Sequence, residues 1–295
     1  MIRFLQRNEV NDEAYNNCIS KSIHSQVYAF TWYLDMVAST WGVLVLEDYK
    51  AVMPIPFRKK YGIKYVYPPL WSLQLGIFGK VDIQLFIKEI EKQFLFIELR
   101  LHPGNILPNT NQYKTNEKQV LKINTNFSTS EFRKDRKKDL KKADQHSLVF
   151  KRRSNPDTLI ALFKNNIGKR TSNIIDEDYI RLKKLCQVLQ EKRVGELFEV
   201  YHKDAMIAGA FILKYQHKAT ILFSATDFNN RDNGSNTFLI RKIIENYKEE
   251  IVEFDFGGSS MPSIASYFKS FGAETITYPF LKINRLPFPL SLFKS

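Results

Sequence analysis

The sequence predicts an α/β chain of two tandem halves, each a mixed sheet with helices packed against it. Three observations predict this. Segments 41–101 and 194–256 run through the same order of elements, strand, turn, strand, strand, helix, strand. The offset between matching positions is nearly constant: Gly42 to Gly195 is 153, Ala51 to Ala205 is 154 and Leu101 to Phe256 is 155. The apolar residues also switch from alternating to helical spacing at the same point in each copy.

In the first copy, 41–57 reads as two strands joined by an acidic turn at Glu47 and Asp48, and Tyr65 and Tyr67 mark a third strand. The spacing of Phe86, Ile87 and Ile90 predicts a helix over 81–93, and 94–101 closes the unit as a strand. In the second copy, 194–211 repeats the hairpin and Ala219 to Ser224 the third strand. Phe238, Leu239, Ile243 and Ile244 predict a helix over 237–249, and 251–256 is the closing strand. A meander followed by helix and strand returns by a right-handed crossover, which leaves the helix on one face of a mixed sheet. This is the element order of the GNAT core, so the predicted class is α/β with two tandem GNAT-like domains.

Outside the copies, 30–38 has helical spacing that suits core or a groove wall, while Gln74 and Arg100 are polar residues in otherwise apolar strands. The polar stretch 109–116 reads as a surface connection, which places a first domain at 1–115 and a second at 116–295. Ser128-x-x-Glu131 has the form of a capping box and predicts a basic helix over 129–143. Between 131 and 153 there are ten Lys or Arg against four Asp or Glu, which supplies +6 of the formal +13. Such a concentration points to a polyanionic partner. On that helix Phe132, Arg136, Leu140 and Ala143 share one face, so Arg136 is expected to point inward while Lys137, Lys138 and Lys141 stay in water.

Several function classes are excluded by context. Cys18 and Cys186 stand far apart without a C-x-x-C, so they read as core thiols rather than a disulfide or metal framework. The five histidines show no H-E-x-x-H spacing, and no metal is expected. Asp255-Phe256-Gly257 spells a kinase motif, yet there is no H-R-D loop, and the run from Gly258 is not a nucleophile elbow. The N-terminus lacks a signal-peptide stretch and no run is long enough to span a bilayer, so a cytoplasmic location is expected.

Two constellations remain. Arg231-x-x-Gly234-x-Asn236 sits where the third strand gives way to a helix, the place where a glycine turn and helix N-terminus cradle an anion. It is similar to the R-x-x-G-x-G/A pyrophosphate loop of GNAT acyl-CoA enzymes, with Asn236 in the last position; Arg231, Gly234, Ser235 and Asn236 are the donor-binding candidates. The second is Asp255-Phe-Gly-Gly-Ser259, followed by Phe268-Lys-Ser-Phe-Gly272 and Tyr278 in a last strand. Together with Arg136-Lys-Lys-Asp-Leu-Lys-Lys-Ala143, this resembles the Fem family of peptidoglycan-bridge aminoacyltransferases, although the long helical hairpin that some Fem ligases use against tRNA is not present in this sequence.

The resemblance implies transfer of an acyl or aminoacyl group to an amine, on a peptidoglycan precursor or another peptide. It implies acyl-CoA or aminoacyl-tRNA as donor, and places Lys269 near the reacting ester. Asp255, with Glu253 as substitute, is the candidate base. Gly257, Gly258, Ser259, Arg136 and Tyr278 are expected to line the cleft. The competing expectation is a non-catalytic nucleic-acid or anionic-surface binder that uses the basic helix, and the apolar tail 286–293 is expected to pack on the body or touch a membrane.

Overall fold

A computed structural model of the chain describes residues 1–107, 113–123, 128–166, 168, 174–257 and 261–294. The chain divides into two compact units, Met1–Asn116 with Thr277–Ser295, and Glu117–Ile276. Each contains one copy of the repeat, and residues 277–295, expected in the second domain, pack with the first.

In the first unit, β1 (Ile2–Gln6), α1 (Asp12–Lys21) and α2 (Thr31–Val37) precede the repeat. Then come β2 (Trp41–Leu46), β3 (Ala51–Lys60), β4 (Ile63–Val66), α3 (Ile83–Gln93) and β5 (Phe96–Arg100). The hairpin turns where the acidic residues predict it, with Glu47 and Tyr49 at positive φ. β1–β2, β2–β3 and β3–β4 pair antiparallel, and β4–β5 pairs parallel through Tyr65–Phe96 and Val66–Ile97. The last strand of the chain, β12 (Glu274–Asn284), adds to β5 in antiparallel register, Phe280 opposite Arg100. Helix α3 buries Phe86, Ile87 and Ile90, the stripe its spacing predicts.

The second unit repeats that plan. After β6 (Tyr113–Lys122) and α4 (Lys134–Gln145) come β7 (Val149–Arg153), α5 (Asp157–Asn166) and α6 (Asp176–Glu191). They are followed by β8 (Gly195–His202), β9 (Ala205–Tyr215), β10 (Lys218–Thr226), α7 (Ser235–Tyr247), β11 (Glu253–Asp255) and α8 (Pro262–Lys269). β7–β8, β8–β9 and β9–β10 are antiparallel, β10–β11 is parallel, and β6 closes on β11 in antiparallel register. The pairing pattern is that of the first unit, strand for strand, so the repeat in sequence is a repeat in topology.

One face of the second sheet carries the larger core, in which Phe198, Ile212, Ile221 and Phe254 pack with Leu140 of α4, Ile243 of α7 and Phe271 beyond α8. α5 and α6 cover the other face: Phe163 meets Phe223 edge-on at 5.7 Å, and the missing side chain of Gly195 admits Leu189 and Phe211.

Two further expected boundaries are corrected. Of the connection read over 109–116, residues from Tyr113 on are strand β6. The basic helix begins at Lys134, and Ser128 instead caps a short 3-10 turn, Thr129–Glu131. The reason is packing: Phe132 is pulled into the core against Phe271 at 5.1 Å, and the Arg133 amide donates to the Ser270 carbonyl, which holds 132–133 out of helical geometry.

Candidate functional site

The site is built in the second unit, where β10 and β11 part. Their parallel pairing covers only Lys218–Glu253, Ala219–Phe254 and Thr220–Asp255, after which β10 runs on to Thr226 and bulges between Ile221 and Phe223. A bulge adds twist and steers a strand from its neighbour, so the sheet opens at the carboxyl ends of its parallel strands. In open α/β sheets that edge is where ligands enter.

A 3-10 turn, Phe228–Asn233, then leads into α7. Asp227 anchors the turn by accepting from the Asn229 amide at 3.1 Å and the Asn230 side chain at 2.7 Å. Gly234 follows in left-handed geometry at φ 77° and caps α7 without a side chain. Ser235 is wholly buried: its amide donates to Asn233 Oδ1 and its hydroxyl to the Asn230 carbonyl. Arg231 has its backbone in the turn, and its side chain lies outside the described residues.

Helix α4 meets this helix start directly. A Cβ on Gly234 would fall inside contact distance of the Asp139 carbonyl oxygen, so the glycine is required by the close approach of α4. Asp139 also accepts from Thr237 Oγ1 at 3.0 Å and pairs with Arg136 at 2.8 Å. Arg136 turns inward, its side chain 12% exposed, donates to Thr237 at 3.0 Å and lies 4.4 Å from the centre of the Tyr267 ring. A hydroxyl has one proton, and that of Thr237 goes to Asp139, so the 3.3 Å contact with Tyr267 is a donation from the Tyr267 hydroxyl. Tyr267 in turn accepts from Asn236 Nδ2 at 3.0 Å. Burial pushes the Tyr267 phenol up to about 12, so it stays protonated and acts as a hydroxyl. The chain Asn236, Tyr267, Thr237, Asp139, Arg136 therefore ties α4, α7 and α8 together at the mouth of the opening.

The first unit ends its equivalent helix differently. There Asp82 caps α3 and accepts the Gln84 amide at 3.0 Å, so its own carboxylate sits at the positive helix end. In the second unit the cap is glycine and the carboxylate comes from α4, where Arg136 is held in place by ion pairs to Asp139 and Asp135 at 2.8 and 3.3 Å.

At the end of β11, Asp255 Oδ2 pairs with Lys118 of β6 at 2.5 Å and Oδ1 accepts the Gly257 amide at 2.9 Å. Both groups are buried, with side chains 9% and 11% exposed. The carboxylate thereby shapes the turn at Gly257, which has φ 83° and is half-buried. Glu253 lies on the same face between Lys122 and Lys218, at 2.6 and 3.3 Å. Burial would raise its pKa, but the lysines outweigh it and hold it below the ordinary carboxylate range.

Lys269 is exposed at the last turn of α8, and Tyr278 lies half-buried in β12 of the first unit. Gly258 and Ser259 lie outside the described residues. Cys186 is the buried core thiol expected, whereas Cys18 is only half-buried; burial raises both thiols, which suits neither to act as a nucleophile. Among the described residues there is no group of three or more His, Cys, Asp or Glu that could hold a metal, and no helix long and apolar enough to cross a membrane.

Sequence reasoning missed Asp139, Thr237, Tyr267 and Lys118 as members of the site. Asp139 stands three residues after Arg136, and that spacing on one helix face was a readable signal. Lys118 gave none, because its partner is 137 residues away.

Residues 130–270 match the family model described as "Acetyltransferase (GNAT) domain". The chain is similar in structure to FemX, with a TM-score of 0.64, 11% identity and 96% of this chain and 98% of that one covered. It is similar to L-PGS from Bacillus licheniformis, with a TM-score of 0.60, 11% identity and coverage of 96% and 95%. It is also similar to a tandem GNAT protein from the clavulanic acid biosynthesis pathway, with a TM-score of 0.52, 9% identity and coverage of 97% and 99%. No curated protein sequence matches. These likenesses show a tandem GNAT fold and agree with the Fem resemblance read from the sequence.

Proposed function

We propose that the protein is an N-acyltransferase that uses the opening between β10 and β11 to pass an aminoacyl or acyl group from an activated ester or thioester to an amine on a peptide. The observation that carries this reading is the parted strand pair, which ends beside a glycine-capped helix and a fixed arginine. In the reaction the acceptor nitrogen attacks the donor carbonyl, the N–C bond forms, the bond to the leaving oxygen or sulfur breaks, and the proton lost by the nitrogen passes through water to that leaving atom. Such a step needs positioning and a positive field for the oxyanion more than a covalent nucleophile.

The Fem resemblance favours an ester donor over one anchored by its diphosphate. The Asp139 carbonyl of α4 stands in the Cβ direction of Gly234, so packing accounts for this glycine without a diphosphate. Aminoacyl-tRNA fits these constraints, as the resemblance to the Fem family implies, and FemX and L-PGS share the fold. A peptidoglycan precursor is the acceptor implied by the same resemblance. Asp255, with both oxygens engaged, is assigned to holding the turn at Gly257 and not to taking the amine proton.

Lys134, Lys138, Lys141 and Lys142 lie exposed on α4 and form a cationic strip suited to a nucleic-acid phosphate backbone. Changing all four to alanine is expected to weaken tRNA binding at least tenfold and to flatten its salt dependence, with the melting temperature unchanged. Filter binding across a salt series reads both; an unchanged slope would remove the strip from the interface.

Lys269 is proposed as the mobile cation of the transfer step, since its exposed stem leaves the charge free to follow a bound donor. Lys269→Met keeps the stem and deletes the charge. Transfer is expected to fall by about a hundredfold with the melting temperature held. Normal turnover in that variant would leave Lys269 a surface residue.

A further inference from the structure

We propose that Gln119 is a substrate-binding residue whose side-chain amide receives a secondary amide of a bound chain at the end of β11. This rests on the acyl-transfer reading only for the identity of the chain that is bound. Gln119 is fully buried, and neither its Nε2 nor its Oε1 has a partner among the described residues. The register explains the isolation. Leu121 lies opposite Phe254 and Val120 opposite Asp255, and the Phe256 amide donates to the Gln119 carbonyl at 3.1 Å, so Gln119 faces the same side as Phe254, Phe256 and Leu121. That side is aromatic: Phe256 stacks on Phe268 at 4.6 Å and meets Phe271 at 5.7 Å.

A leucine or methionine would suit this wall, whereas an unpaired buried amide destabilises the free protein. A secondary amide arriving with a bound chain would satisfy both of its atoms. Its location agrees. Phe256, opposite Gln119, is flanked by buried Asp255 and half-buried Gly257, where the pairing of β10 with β11 ends. A glutamine presents donor and acceptor on one planar group, the complement of a secondary amide. An uncharged amide can enter an aromatic wall without the desolvation penalty of an ammonium or carboxylate. Two sources share that chemistry, the amide-bearing arm of coenzyme A and the backbone of a peptide acceptor.

The test compares the full chain with Gln119→Leu and Gln119→Met, reading melting temperature and the binding of two probes by calorimetry, coenzyme A and an N-acetylated alanyl-lysine amide. The expected result is a melting temperature equal to or above wild type in both variants, with at least tenfold weaker binding of one probe; the probe affected names the source. A melting temperature several degrees lower in both variants would show that the amide serves the fold and overturn the proposal. So would equal affinity for both probes, or failure of the wild type to bind either. Transfer is scored separately by mass spectrometry. An active chain indifferent to Gln119 loses this inference alone, and a chain that binds the peptide through Gln119 without transferring loses only the acyl-transfer reading.

Discussion

Gly234→Val is expected to destabilise the second unit by about 3 kcal/mol or more, enough to lower its melting temperature sharply or to leave it insoluble. Two costs add. Gly234 has φ 77°, a region that a β-branched residue enters only under strain. Its absent Cβ also makes room for the Asp139 carbonyl of α4, a backbone atom that cannot swing aside as a side-chain tip could. The sequence alone suggests a different outcome, a folded variant that has lost its donor, because a glycine before a helix reads as space for a phosphate. In the structure the Cβ direction of Gly234 is filled by α4. Gly234→Ala should show a smaller loss of the same sign, and chemical denaturation of both variants measures it. A folded Gly234→Val protein with an unchanged midpoint would mean that α4 does not press on this turn.

Asp255→Ala is expected to cost about 3–5 kcal/mol, because it removes the carboxylate that pairs with the buried Lys118 ammonium. The loss should be recovered in large part by Lys118→Met/Asp255→Leu, which removes both charges and keeps the volume. Replacing a buried ion pair by apolar residues is often neutral or stabilising, whereas removing one partner is not. Transfer activity gives the second readout. If the pair positions the turn at Gly257, the double variant regains stability but not rate, since the Asp255 contact to the Gly257 amide is gone. Recovery of both would make the pair a packing device. Full stability in the single variant would mean that Lys118 is not held by Asp255.

Much of the fold was legible because strand alternation and helix spacing recur at one offset, and the pairing partners of β2–β5 and β8–β11 follow from that repeat. The repeat is longer than the sequence showed. β1, α1 and α2 correspond to β7, α5 and α6, and β1 and β7 each pair antiparallel with the strand that follows in the chain. Connections of different length shift the offset there, from Asp12 to Asp157 for the first helices, so constant spacing could not reveal it. α1 also buries only Tyr15 and Ile19, too thin a stripe to announce a helix.

In the site, Arg136 was readable because helical spacing placed it among apolar residues, and it does turn inward. What the sequence withheld was its partners, since Thr237 and Tyr267 reach it from elements far along the chain. Likewise Asp255 was visible as a carboxylate at a strand end, but its engagement by Lys118 and the Gly257 amide is a property of register. Local chemistry shows in a sequence; pairing across strands does not.

The most direct measurement incubates the full chain with a lysine-bearing peptide and, in parallel, aminoacyl-tRNA or acyl-CoA, and reads the peptide by intact mass spectrometry. Transfer at the opening between β10 and β11, with a donor not anchored by its diphosphate, is expected to add an aminoacyl mass with tRNA and none with CoA, and to be lost in Lys269→Met. No mass shift from either donor, with tRNA still retained in a salt-dependent way through the strip on α4, would contradict it and leave the chain a nucleic-acid-binding protein on a transferase fold.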